Sequence, residues 1–238
     1  MATLAAHSSI TQPGKRGALW PRWVVANAAG EALGLGLTAL AAALLFPRLD
    51  DEGGLFAALA VAVVAIGAGL AIEGLIVGTA QWLVLRQPLP GLAWRTWAGA
   101  TAIGAGVAWT FGMLPSTLLS VNQEAGQAPA AEPSAAVTYA LAFAMGLVLG
   151  PVLGFAQWLV LRRHVAGAGL WMPANAVAWA CGMVLIFAIV SASFDRGIGP
   201  GSLALAALGL AATGAVVGGI HGLALIRLVG QRGGAPTR

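Results

Sequence analysis

GTAQWLVLRQ (Gly78–Gln87) and GFAQWLVLRR (Gly154–Arg163) spell almost the same segment twice. Each copy sets a glutamine before a tryptophan and closes on arginine. A weaker third copy follows. Gly74, Gly78, Gln81 and Arg86 align with Gly150, Gly154, Gln157 and Arg162, and then with Gly214, Gly218, His221 and, one place late, Arg227. In the third copy histidine replaces the glutamine and Gly222 replaces the tryptophan. The apolar runs between these phrases also repeat: Trp23, Asn27 and Gly30 correspond to Trp97, Thr101 and Gly104, then to Trp171, Asn175 and Ala178. A fixed period built from one supersecondary unit is the mark of a repeat architecture.

Composition sets the class. Hydrophobic residues make up 59% of the chain and charged residues 8%, about a third of the charge carried by soluble domains. Apolar runs at about 24–45, 56–85, 96–120, 136–161, 172–193 and 202–228 are each long enough to cross a hydrocarbon core of ~30 Å at ~1.5 Å per residue. The sequence therefore predicts an all-α membrane protein with six transmembrane helices. They form three tandem two-helix hairpins, in repeats of about 19–90, 91–166 and 167–230. All repeats run in the same sense, which implies a pseudo-threefold arrangement about the membrane normal. The whole chain, 1–238, reads as one integral membrane domain with flexible tails at 1–18 and 231–238. Pro115 and Pro151 fall inside spans and are expected to bend them.

Charge placement sets the orientation. Lys15, Arg16, Arg22, Arg86, Arg95, Arg162, Arg163, Arg227, Arg232 and Arg238 flank one end of the spans, against Arg48 and Arg196 at the other. The second end carries Asp50, Asp51, Glu52, Glu124, Glu132 and Asp195. Ten basic residues against two predict cytoplasmic termini in a bacterial inner membrane. The net charge of +4 is thus a topology signal, and nucleic acid is excluded as a partner. The expected partners are the lipid bilayer and either another membrane protein or further copies of this chain. The N-terminal stretch lacks a short apolar core with a cleavage site, so no removable signal is expected. Cys181 is alone, which rules out an intrachain disulfide.

Spacing gives the glycines and the polar residues their roles. Positions 0, +4 and +7 share a helix face, so Gly74, Gly78 and Gln81 form one stripe, and Gly146, Gly150 and Gly154 another. Small residues on a stripe let helix backbones approach closely in lipid. The glutamines then point toward a neighbouring helix. Tryptophans near the arginine-bearing ends, among them Trp20, Trp23, Trp94, Trp97 and Trp171, read as an interfacial belt. Just inside it lies a polar layer of Asn27, Gln81, Thr101, Gln157, Asn175 and His221, expected to hydrogen-bond between helices.

The chain resembles uncharacterised bacterial multi-pass membrane proteins that carry tandem AQWLVLR-type segments, over nearly its whole length. That resemblance implies the fold above; no activity is established for the group, and no catalytic residue comes with it.

Chemistry is expected where the repeat is broken. Glu31 has Ala105 and Trp179 as counterparts, and Glu73 has Leu149 and Thr213. A carboxylate at membrane depth normally faces a bundle interior or a cavity. With no lysine or arginine at that depth, the pair should be neutral and share a hydrogen bond, or hold a cation. Glu31 and Glu73 are therefore the candidate proton or cation site, expected to meet in a pocket reached from the polar layer. Enzyme chemistry finds no support. The fourth span has no serine for a rhomboid-like protease, and there is no H-E-x-x-H, acidic metal cluster or phosphate-binding loop. His221 is the only histidine within a span, which excludes bis-histidine haem; no cofactor or metal is implied. Two functions remain: a structural or assembly protein, ranked first, and a small-solute or proton/cation-coupled transporter using Glu31 and Glu73.

Overall fold

The computed structural model describes residues 18–50, 54–124, 133–194 and 199–231. The expected tails lie outside these residues except at Ala18 and Gln231, as do Asp51, Glu52, Glu132, Asp195 and Arg196 of the acidic side. Every described element is helical. Helix α1 is Leu19–Asp50. The next rod joins α2 (Gly54–Ala68), a π-helical turn (Gly69–Gly74) and α3 (Leu75–Leu85). Helix α4 is Trp94–Glu124, α5 is Ala135–Leu161, α6 is Trp171–Phe194 behind a short 3-10 turn (Ala168–Leu170), and α7 is Pro200–Gln231.

Among the described residues, five stretches are long and apolar enough to cross a membrane: Leu19–Ala41, Leu59–Leu85, Ala135–Leu161, Ala168–Ser193 and Pro200–Gln231. Helix α4 has the length, at 31 residues. Trp97, Thr101, Gly104, Gly106, Trp109, Thr110 and Gly112 dilute its apolar character. Large apolar side chains such as Val25, Leu33, Val63, Leu141, Val148 and Leu208 stand on the outer surface. A surface of that kind belongs in lipid, because a water-soluble monomer rarely exposes so much contiguous apolar area. The chain is a multi-pass membrane protein by these criteria.

The rods close into a ring. Each packs on its neighbours in chain order, and α7 returns to α1. Glycine makes the tightest seams. A Cβ on Gly74 would press on the Ala102 backbone, one on Gly150 on the Asn175 carbonyl, and one on Gly214 on the Asn27 carbonyl. Overpacking by even a methyl is costly in such contacts. Helix α5 continues as α-helix through Pro151. Among the described residues, a change from α to π geometry within a rod falls in the proline-free second rod, at Gly69–Gly74.

The arginine-bearing end is filled. Leu85, Leu89 and Leu92 from the α3–α4 turn pack with Leu161, Val165, Leu225 and Leu228 into one apolar core. Gly167, at φ 68°, takes the left-handed conformation that turns the chain from α5 toward α6. Outside this core, Arg86 and Arg162 stack over the rings of Trp82 and Trp158 at 5.3 and 4.8 Å.

Candidate functional site

Three helices face the interior with residues four apart. From the arginine end, α1 presents Trp23, Asn27, Glu31 and Leu35; α4 presents Trp97, Thr101, Ala105, Trp109 and Met113; α6 presents Trp171, Asn175, Trp179, Met183 and Phe187. Four-residue steps keep a side chain on nearly one helix face. The ladders therefore stack the interior in layers, and the layers differ in kind.

The first layers are packed and hydrogen-bonded. Trp23, Trp97 and Trp171 are fully buried, so the interfacial position expected for them is wrong. Their four-residue register with Asn27, Thr101 and Asn175 turns them inward, while Trp20 and Trp94 remain exposed. The indoles of Trp23 and Trp97 each meet Trp171 edge-on, with centroids 6.0 and 6.3 Å apart. Each N–H has an acceptor: Trp23 donates to His221 Nδ1 at 2.9 Å, Trp97 to Gln81 Oε1 at 3.2 Å, and Trp171 to Gln157 Oε1 at 2.9 Å. Gln81 donates to Asn27 Oδ1 at 2.8 Å, and Gln157 donates to Gln81 Oε1 at 3.1 Å and to Thr101 Oγ1 at 3.0 Å. Asn27, Thr101 and Asn175 cap the carbonyls of Trp23, Trp97 and Trp171, one turn back on their own helices. All six polar-layer residues are buried, and through the three tryptophans they join one network.

Two turns further in, the packing opens. Glu31 and Glu73 are both buried, on α1 and on the π-helical turn. A Cβ on Gly34 would lie 3.0 Å from Glu73 Cα, so α1 passes directly over this glutamate. Glu73 Oε2 accepts from Trp109 Nε1 at 2.6 Å. The wider π turn places Gly69, Glu73 and Gly74 together on its buried face. Gly69 is required there, because a side chain would collide with the Trp109 indole.

Beyond Glu73 lies a cavity of about 260 Å³. Among the described residues Glu73 is its one ionisable lining residue; the others are apolar, with the rings of Trp109, Trp179 and Phe187 and the thioethers of Met113, Met145 and Met183. Asn27 and Gln81 are not among the residues of its wall. Among the described residues, the buried polar atoms without a hydrogen-bond partner are Glu31 Oε2, Thr38 Oγ1, Trp179 Nε1 and Ser193 Oγ. All four lie on the cavity side of the polar layer. The described residues hold no cluster of His, Cys, Asp and Glu suited to a metal ion.

Sequence reasoning missed Trp109, Trp179 and the three methionines. The signal was present: Trp109 is three four-residue steps from Trp97, and Trp179 is two from Trp171. No protein-family model, curated protein or solved structure matches the chain.

Proposed function

We propose that the chain is a six-span protein of a bacterial cytoplasmic membrane that holds a small solute within the bilayer. Helix α4 supplies the sixth span. The spans form three tandem hairpins about a pseudo-threefold axis along the membrane normal. Recurring contacts support this reading. Gly74, Gly150 and Gly214 each pack on the first helix of the following hairpin, the last returning to the first. The indole bonds follow the same cycle, with Trp97 on Gln81, Trp171 on Gln157 and Trp23 on His221. The basic residues of one end support cytoplasmic termini.

The solute-binding reading displaces the assembly reading for two reasons. The glycine stripes are used in packing within the chain's own ring, so they do not argue for assembly with a partner. The cavity beside Glu73 carries the positive case. It joins an apolar body to one ionisable group, the usual make-up of a small-molecule site. The filled arginine end makes it a blind pocket and not an open pore.

Gly112 lines the cavity, and a Cβ there would meet only Leu149 Cδ1, at 3.6 Å. Gly112→Phe should fill the cavity and leave the ring intact. Native mass spectrometry of protein taken from its own membrane into lipid nanodiscs is expected to find a small-molecule adduct on the wild type and none on Gly112→Phe. Identical spectra would return the chain to the assembly reading.

A further inference from the structure

The solute-binding reading leaves the ligand's chemistry open; building on that reading, we infer that the cavity takes a small organic cation, an ammonium group on an apolar body. Among the described residues the wall carries one ionisable side chain, Glu73, and no lysine, arginine or histidine. Among the described residues Glu73 accepts one side-chain hydrogen bond, from Trp109, where a carboxylate has room for about four. Glu31, on α1, is also buried, with Oε2 unpartnered. The described basic side chains, Arg22, Arg86, Arg95, Arg162, Arg163 and Arg227, belong to the opposite end of the bundle. A charge at this depth needs a counter-charge, and the described wall supplies none for Glu73. A cation seated beside Glu73 would provide it.

The rest of the wall suits the remainder of such a ligand. The indoles of Trp109 and Trp179 and the ring of Phe187 offer faces that attract a cation. Three of the five methionines in the chain line the site, and thioether side chains reshape around different apolar bodies. Size limits the choice. Since an apolar cavity of ~150 Å³ holds benzene, about 260 Å³ corresponds by proportion to about ten non-hydrogen atoms. An arylethylamine fits that limit; a lipid or a peptide does not.

The test compares phenethylamine with its neutral isostere propylbenzene, by ligand-induced shift of the unfolding midpoint and by calorimetric titration of the full chain in nanodiscs. The wild type should bind the amine about 10–100-fold more tightly than propylbenzene, the range of a hydrogen bond to a charged group. Glu73→Gln should abolish that preference and leave propylbenzene binding unchanged, which also shows that the variant is folded. If Glu73→Gln does not fold, the wild-type preference decides alone. Equal affinity for the two probes in the wild type would overturn the cation assignment and leave solute binding standing. Failure of both to bind would overturn the two readings together.

Discussion

The two halves of the bundle interior are built from the same ladders and behave oppositely. Toward the arginine end, two equivalent tryptophans meet the third edge-on and three equivalent polar side chains accept hydrogen bonds from them. Toward the other end, the equivalent positions diverge. Glu31 stands with Ala105 and Trp179, Leu35 with Trp109 and Met183, and Glu73 with Leu149 and Thr213. Equal side chains around an axis can fill it evenly. Unequal ones leave space beside the small residues and strand polar atoms beside the large ones. The cavity and the four unpartnered polar atoms all fall in this second half. One half therefore serves the fold and the other is free to serve a ligand.

The strongest way to break this contrast is to attack a seam. Gly150→Leu would drive a side chain into the Asn175 carbonyl carbon, 2.8 Å from the position of its Cβ. Backbone cannot rotate away as a side chain can. The loss should exceed the ~1–3 kcal/mol typical of overpacking, and the variant should fail to purify as a monodisperse species. Wild-type behaviour in size-exclusion chromatography and in an SDS unfolding titration would show that the α5–α6 seam is loose.

A smaller effect is expected from the network. Gln157 makes two donor bonds and accepts a third, at ~0.6–2 kcal/mol each in a membrane bundle. Gln157→Leu should thus destabilise by about 2–4 kcal/mol, read from the same unfolding titration. Glu73→Leu removes one bond, that to Trp109, and should lose about 1 kcal/mol. Equal losses in the two variants would mean that the halves are equally committed to stability.

How far sequence could reach follows the same division. The repeated phrase exposed the glycine stripes and the polar positions, because both recur at fixed spacing and need only local geometry to be seen. Trp23, Trp97 and Trp171 were misplaced because a tryptophan at a span's start suits the interface and the interior equally. Only the four-residue step to Asn27, Thr101 and Asn175 separates the two. Glu31 and Glu73 stood out as departures from the repeat, yet the cavity beside Glu73 did not. It depends on how Ala105, Trp109, Leu149 and Met183 pack across three rods, and no spacing within one rod encodes that. The π-helical turn was likewise hidden, since Gly69–Gly74 contains no proline and its distortion answers to the Trp109 indole lying on Gly69.

The finest test uses a single methyl group. Gly112 and Gly150 are both glycines inside helices, one beside the cavity and one in a seam. In the seam, alanine must push against a neighbouring backbone. At Gly112 the added Cβ finds only Leu149 Cδ1, at an ordinary contact distance of 3.6 Å. The helix also gains, because glycine is worse than alanine in a helix interior by about 1 kcal/mol. Gly112→Ala should therefore stabilise the protein by about 0.5–1 kcal/mol, a shift of the SDS unfolding midpoint opposite in sign to that of Gly150→Ala. Destabilisation at both positions would show that α4 and α5 meet near Gly112 as tightly as α5 and α6 do at Gly150. The cavity half would then be as closely packed as the sealed one, and the division of labour between them would fail.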